Sequence, residues 1–366
     1  MSFLSNLFKK ENKSVLGVDI GSSSLKVVQL RKEKGQAVLE TYGELALGPY
    51  GGFEVGQATN LSSEQVAETL KDLLREAKVT TMNCGVSIPF ARSLLTLVTL
   101  PYRKDPQEQK TVIELEARKY IPVPVSEVQL DWFIVPRAAP AQFADEDASP
   151  NERAEGATVD VLLVAVHNDE LSSLQNVVAK AGLSASFYEI EIFSTIRATV
   201  DEPVKPVMVI DVGAASTKVY VIEHGVVALS HAISTGSQDI TRAIAVANNL
   251  SIARAEALKK EEGFGGPSVL GNPELVFSRI FSEVRRVLMQ YETAHKKSVS
   301  SIVFTGGGGV TKELGVYAKK TFSIDVHVAD PFAKTSAPAF MRPVLEEIGP
   351  EFAVAVGLAL RKLEES

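Results

Sequence analysis

Asp19 and Asp211 open the same short pattern: an aspartate, a glycine two residues later, small polar residues, and a lysine seven residues beyond the aspartate. The segments VLGVDIGSSSLKVVQL at 15–30 and VMVIDVGAASTKVYVI at 207–222 align without a gap. Val15/Val207, Asp19/Asp211, Gly21/Gly213, Ser24/Ser216, Lys26/Lys218 and Val27/Val219 are identical pairs. Backbone amides at such a turn converge on an anion, glycine allows close approach, and the hydroxyls of Ser22, Ser23, Ser24, Ser216 and Thr217 add donors. An aspartate at the end of a buried strand costs stability by itself, but it is suited to hold a hydrated Mg²⁺ that neutralises phosphate charge. Asp19 and Asp211 are therefore the candidate metal residues, through water, and Lys26 and Lys218 return along the next strand toward each turn. A single copy reads first as an ordinary polar β-turn. Two copies in one chain point to one site assembled from both. A third cluster, in SIVFTGGGGVTKELGVYAKK, reads as a strand, a glycine turn and a helix from near Thr311. There Gly306, Gly307 and Gly308 let a flat base or a phosphate reach the backbone.

The elements that must position these residues follow from periodicity. Each copy is a β-rich run, a turn and a second β-rich run, a hairpin opening a sheet, and the duplication implies two homologous halves. A solenoid is excluded, because its period is tens of residues repeated at least three times. Ser62 and Gln65 form a capping box before Val66, Leu70 and Leu73. Asp105 and Pro106 start a helix with Ile113, Ala117 and Tyr120 inward, ended by a turn at Ile121–Pro124. Asn272 and Pro273 start a long helix with Phe277, Ile280, Phe281, Val284, Leu288 and Tyr291 on one stripe. These stripes read as core faces. Strands are expected at Trp132–Val135 and Val159–Val166, with a hairpin excursion over Pro136–Gly156 between them. An amphipathic helix follows. His167 sits where strand meets helix, with no companion pattern for a metal. The fold class is α/β, with two mostly mixed sheets and a cleft between them.

Composition bounds the function. The 366 residues exceed one ordinary core, and 45% hydrophobic with 23% charged residues describes a globular chain. The net charge of −7 disfavours nucleic acid as a partner. The single cysteine, Cys84, fits a reducing compartment. There is neither a signal-peptide pattern nor a spanning apolar run, so a cytoplasmic protein is expected. Phe3, Leu4, Leu7 and Phe8 before Lys9 and Lys10 make either a surface-touching start or a frayed terminus.

The two hairpins and the TGGGG turn resemble the phosphate hairpins and adenosine motif of the actin, Hsp70 and sugar-kinase superfamily. Within it the chain resembles the PilM family of type IV pilus assembly, related to FtsA. ELEARKYIPVPVSEVQLDW at 114–132, GSQDITRAIA at 236–245 and IDVHVADPF at 324–332 carry that resemblance. Ala214 and Ala215 depart from it, standing where further hydroxyls are expected. The resemblance implies an actin-like, duplicated fold with an FtsA-type inserted subdomain. Its divisions are 1–82 (subdomain 1A), 83–159 (the insertion, 1C), 160–200 (return to 1A), 201–240 (2A), 241–300 (helical 2B), 301–340 (2A, adenosine motif) and 341–366 (a C-terminal helix on 1A). It implies ATP and Mg²⁺ as cofactors, Glu189 or Glu191 as a water-polarising carboxylate, and Glu256 with Lys259 at the ribose and base. The residues alone allow a solvated strand end for the first pair and a surface ion pair for the second.

Three functions compete. The resemblance implies an ATP-binding scaffold at the cytoplasmic face of the inner membrane. It would bind the N-terminal segment of a PilN-like membrane protein in the seam of the insertion beside Trp132 and Phe133, contact other proteins of the pilus complex, reach the membrane through its partner, and have the option of self-association. A small-molecule kinase needs a base carboxylate aimed at a substrate hydroxyl, and no aspartate stands in a convincing strand-end loop. An FtsA-like tether needs a basic amphipathic helix after a linker, whereas the sequence ends LALRKLEES. The scaffold is the expectation, with ATP hydrolysis slow or absent.

Overall fold

Both aspartate-glycine segments fold as the hairpins their apolar runs predict. In the computed structural model, which describes residues 14–135, 157–201, 205–269 and 271–365, β1 (Ser14–Ile20) and β2 (Ser24–Glu33) pair antiparallel with Asp19 opposite Lys26. β3 (Gln36–Ala46) continues the meander and sets Glu44 opposite Lys26. α1 (Ser63–Glu76), capped reciprocally by Ser62 and Gln65, returns the chain to β4 (Asn83–Ile88), parallel to β1.

The chain then leaves this sheet. β5 (Ser93–Pro101), α2 (Pro106–Ala117), β6 (Val128–Val135) and β7 (Thr158–His167) build a separate three-stranded sheet in the order β5-β7-β6. Asp105 caps α2 by accepting from the Gln107 and Glu108 amides, and Pro106 takes the first turn, where its missing N–H costs nothing. α3 (Asn168–Lys180) leads back to β8 (Ser184–Ile190), and α4 (Glu191–Thr199) crosses to the second half. The expected insertion at 83–159 thus shifts to 93–167. β4 is hydrogen-bonded to β1 and β8 in the first sheet, while β7 runs on to His167 as the centre of the small one. The stretch 136–156, like the apolar start of the chain, lies outside the described residues.

The second half repeats the first. β9 (Val207–Val212), β10 (Thr217–Glu223) and β11 (Val226–Ile233) form the meander, with Asp211 opposite Lys218. α5 (Ser237–Asn248), α6 (Ile252–Glu262) and α7 (Asn272–His295) precede β12 (Ser301–Thr305), which runs parallel to β9. The helical part therefore opens at Ser237, slightly before the expected 241. α8 (Leu314–Phe322), β13 (Asp325–Val328), α9 (Arg342–Ile348) and α10 (Ala353–Glu364) complete the chain. The helix expected from near Thr311 starts at Leu314, because residues 306–310 stay in the turn and Glu313 precedes the helix with a positive φ. The sheet orders β3-β2-β1-β4-β8 and β11-β10-β9-β12-β13 correspond strand for strand, so the duplication covers whole domains.

Alternation assigns the faces. Leu16, Val18 and Val27 pack under α1 and α3, while Val15, Val28 and Leu30 pack under α10. In the second sheet Met208, Ile210 and Val221 face α5 and α7. Val209, Tyr220 and Ile222 face the insertion through Leu95, Leu162 and Val166. The small sheet therefore packs on the second half as well as on its host. α10 is apolar nearly all round, as a helix buried between layers must be. It touches β1 and α4 so closely that a Cβ on Gly17 would lie 1.9 Å from the Ala355 carbonyl oxygen, and one on Gly357 1.9 Å from that of Ser194. Gly357→Ala is expected to destabilise the chain by about 3 kcal/mol in urea unfolding, because both neighbours are backbone and must part. An unchanged midpoint would mean that α4 and α10 separate freely.

Candidate nucleotide cleft

The two hairpin turns are built alike. The Gly21 amide donates to the Ser24 carbonyl at 3.1 Å and the Gly213 amide to that of Ser216 at 3.0 Å. A Cβ on either glycine would stand 2.8 or 2.9 Å from the same carbonyl oxygen, so the turn excludes any other residue. The turns border one cavity of about 360 Å³ between the halves. It is lined by Asp19, Gly21, Ser22, Ser23, Ser24 and Lys26 from the first half. Asp211, Gly213, Ser216, Lys218, Glu256, Lys259, Gly306 and Gly307 line it from the second. Thr217 is absent from this wall: its hydroxyl donates to the Thr235 carbonyl at 2.8 Å, and it is fully buried on the other side of the strand. Gly308 also packs inward, a Cβ there meeting Val212 at 2.3 Å.

The glycine run after β12 divides by purpose. Gly306 has φ 77° and lies so close to Asp211 that a Cβ would be 2.3 Å from its Oδ1, and Gly309 is closed off by the Thr305 carbonyl at 2.4 Å. A Cβ on Gly307 would have its nearest neighbour, the Glu351 side chain, at 3.7 Å, so its absence opens the cavity and relieves no backbone crowding.

Charge in the cleft is arranged in pairs. Lys26 Nζ lies 3.0 Å from Glu44 and donates to Ser24 Oγ at 2.7 Å. Lys218 Nζ donates to Glu191 at 2.8 Å and to Asp211 at 3.2 Å. Burial works against the Lys218 ammonium, but the Asp211 and Glu191 carboxylates outweigh it and hold its pKa well above the ordinary lysine value. Glu256 accepts from Lys259 at 2.6 Å and from Thr241 Oγ1 at 2.6 Å. Both side chains are largely buried, which removes the surface-pair alternative for Glu256 and Lys259. Burial lowers the Lys259 pKa against the pull of Glu256. Across the mouth, Glu54 accepts from the Ala253 amide at the start of α6 at 2.6 Å, and Gly56 lies against Glu256.

The two candidate bases separate. Glu189 is clamped by Arg197 at 2.8 and 2.9 Å, by Arg361 at 2.8 Å and by Ser194 at 2.5 Å, and these contacts tie β8 and α4 to α10. It has no place in the cavity, whereas Glu191 lines it. His167 is an exposed residue at the start of α3. Burial pushes the Cys84 thiol up to about 12, which makes it inert. Glu44, Glu351, Ser237 and Lys260 line the cavity unanticipated. Glu44 was within reach of a hairpin reading, since its register puts it opposite Lys26. Glu351 arrives from the far end of the chain with no local signal.

Six carboxylates (Asp19, Glu44, Glu191, Asp211, Glu256 and Glu351) face four lysines (Lys26, Lys218, Lys259 and Lys260). An acidic cavity accepts a polyphosphate only with a cation. Among the described residues no group of three or more His, Cys, Asp or Glu is arranged to hold a metal. Asp19 and Asp211, which both line the cavity, instead suit Mg²⁺, which keeps several waters and takes one or two carboxylates with phosphate oxygens. Asp19 Oδ1 accepts from Ser87 at 2.9 Å. Burial above all, with Glu191 nearby, pushes its pKa up from 3.8 to about 6. A carboxyl that binds its proton more tightly when folded contributes stability that is complete below about pH 4 and lost as the pH rises through 6. Asp19→Asn is therefore expected to stabilise the ligand-free chain by about 2 kcal/mol at pH 7.5, and the gain should shrink between pH 6 and 4. Urea unfolding across that range checks it, and a destabilised or pH-independent variant would contradict it.

Comparison with known proteins adds the following. A family model described as type IV pilus assembly protein PilM matches residues 17–363. The structure is similar to a PilM–PilN type IV pilus biogenesis complex, with a TM-score of 0.79 and 25% identity over 95% of this chain and 98% of that one. The cell division protein FtsA of Neisseria meningitidis serogroup B is 21% identical over 97% of this chain and 92% of its own length. MreB 5 of Spiroplasma citri bound to AMPPNP shares the fold, with a TM-score of 0.54 and 12% identity over 97% of this chain and 98% of that one.

Proposed function

The chain belongs to the PilM family of type IV pilus assembly proteins, and from that premise we propose that it is an actin-like scaffold that binds ATP and Mg²⁺ in the cleft and a PilN-like partner on its inserted sheet. The observation that carries the nucleotide half is the pair of matching hairpins, each with its aspartate opposite a lysine, bordering one cavity with a glycine turn opened at Gly307. In this reading the turns Gly21–Ser24 and Gly213–Ser216 take the phosphates. Asp19 and Asp211 hold Mg²⁺ through water, Gly306 and Gly307 flank the adenosine, and Glu256 with Lys259 meets the ribose. The working units are the first half (14–88 and 168–200), the inserted sheet (93–167), the second half (205–335) and the returning C-terminal helices.

The partner half rests on the solved PilM–PilN complex, which this chain resembles across nearly its whole length. Among the described residues no helix is long and apolar enough to cross a membrane. The scaffold then works at the cytoplasmic face of the inner membrane by holding the N-terminal segment of a membrane protein. Hydrolysis is slow in this reading: Glu191, the candidate base that lines the cavity, is engaged by Lys218 in the ligand-free chain and has no contact among the described residues that would hold it toward an attacking water once a phosphate takes that lysine. A kinase would need that carboxylate held at a substrate hydroxyl.

Ligand bound only to the folded chain stabilises it by mass action, about 4 kcal/mol at a thousandfold excess over Kd. ATP with Mg²⁺ is expected to raise the melting temperature of the wild type. Gly307→Val, whose side chain enters the cavity and not the backbone, should melt normally without ligand and lose the rise. A wild type indifferent to ATP, or a variant that still responds, would refute the nucleotide reading. Phosphate release in the same samples should stay below roughly 1 per second, the lower end for kinases.

A further inference from the structure

The lysine of the second hairpin already has a counter-ion supplied by the other half of the molecule. Lys218 Nζ donates to Glu191 Oε2 at 2.8 Å, and the other oxygen of Glu191 accepts from the backbone N–H of Phe90 at 2.7 Å. Glu191 is the first residue of α4, which crosses between the halves. Phe90 begins the single turn, Phe90–Arg92, between β4 of the first sheet and β5 of the inserted one. Its ring is buried among Leu95 and Leu162 of the insertion and Tyr220 of the second half. One carboxylate thus joins the root of the insertion, the crossing helix and the second hairpin. The first repeat has no equivalent tie: Lys26 is held by Glu44 of the neighbouring strand in its own sheet. The repeats agree in the lysine and differ in where its carboxylate comes from.

We propose that Glu191 stands in for phosphate at Lys218, and that an arriving nucleotide phosphate takes Lys218 from it and thereby loosens the Phe90 turn at the root of the inserted sheet. The proposal rests on the nucleotide reading above and specifies how that site is regulated. A phosphate within reach of Lys218 places further negative charge beside Glu191 in a partly desolvated cleft, where like charges repel strongly. With its ammonium shared away, Glu191 keeps one neutral N–H, which does not balance a buried charge. The carboxylate turns away and releases the Phe90 amide. Nucleotide occupancy is thereby communicated to the insertion by the loss of one named hydrogen bond.

The test is amide hydrogen exchange on the full chain, read at Phe90–Arg92, with and without ATP and Mg²⁺, in wild type, Glu191→Gln and Glu191→Ala. Without nucleotide, Glu191→Ala should speed exchange at Phe90 about tenfold, the loss of one charge-assisted bond. Glu191→Gln should stay near wild type, because its amide oxygen still accepts. With ATP and Mg²⁺, wild-type exchange at Phe90 should rise toward the alanine level while β9 and β12 slow. Glu191→Gln should show no rise and should bind ATP several-fold more tightly, since the Glu191 charge no longer competes for Lys218 and Asp211 alone remains. A general structural role predicts the reverse sign, with ATP slowing Phe90 along with the rest of the cleft, and that result would overturn the proposal. So would weaker ATP binding by Glu191→Gln, which would make Glu191 a ligand-holding carboxylate. Absence of ATP binding in the wild type would overturn the nucleotide reading and the transfer together, whereas binding with unchanged Phe90 exchange would overturn the transfer alone.

Discussion

Asp211→Ala is expected to lower Mg²⁺-dependent ATP affinity by at least about a hundredfold while leaving the fold intact. Asp211 is nearly buried at the end of β9, 3.2 Å from Lys218 and directly beneath Gly306. Removing it deletes one of the two carboxylates proposed to hold the metal and leaves Lys218 with Glu191 as its remaining close carboxylate. A hundredfold loss corresponds to about 2.7 kcal/mol, at about 1.4 kcal/mol for each tenfold in affinity. The expected signature is specific. Affinity measured by titration calorimetry in Mg²⁺ should collapse, while the weak affinity in chelator should hold or improve, because Lys218 then has one carboxylate competing with the phosphate in place of two. Equal losses in both conditions would mean a distorted cleft, to be checked by circular dichroism. Unchanged affinity in Mg²⁺ would end the assignment of Asp211 to the metal.

Removal of the inserted sheet should abolish partner binding, a loss of about a hundredfold or more, and leave ATP affinity within about threefold. The structure shows where to cut. Ser93 and Val166 are cross-strand partners in β5 and β7, so residues 94–165 can be replaced by an Asn-Gly turn that closes a two-residue hairpin. Cutting at the boundary expected from sequence, 83–159, would remove β4 from between β1 and β8 in the first sheet and destroy the nucleotide half as well. The deletion uncovers Tyr220, Ile222 and Val227, which pack on the insertion, so some stability is lost with it. A milder companion is Phe133→Asp with Ile134→Asp, on the edge strand β6, where the two side chains are 54% and 38% exposed. An extended peptide added to that edge would use backbone hydrogen bonds and these apolar side chains, so the double variant should weaken a peptide of the PilN N-terminal segment about tenfold or more. Retained peptide binding by the deletion would put the partner elsewhere. Loss with the deletion alone would move it to another face of the same sheet.

Much of the cleft was legible because it is local. An apolar run of period two, an Asp-x-Gly turn and a second run determine a hairpin wherever they occur, and hairpin register alone brings Asp19 opposite Lys26 and Asp211 opposite Lys218. Recurrence of the pattern identified two halves, and the caps at Ser62 and Asp105 are satisfied by amides within three residues. Tertiary structure decided what local rules leave open. Thr217 and Ser216 are neighbours of one chemical kind, but the pleat turns the first into the core and the second to the cavity. Glu189 and Glu191 lie two residues apart, yet packing gives one to Arg197 and Arg361 and the other to Lys218 and the Phe90 amide. Strand β4 reads as a plausible first strand of the insertion until its hydrogen bonds to β1 and β8 place it in the host sheet. Partners such as Arg361, Lys218 and Glu351 come from distant parts of the chain, and only the closing of α10 and the second sheet onto the first selects among the charges able to pair. Backbone hydrogen bonding over a few residues determined the turns, while burial of apolar faces, and the counter-ions it then requires, determined which side chains meet in the cleft.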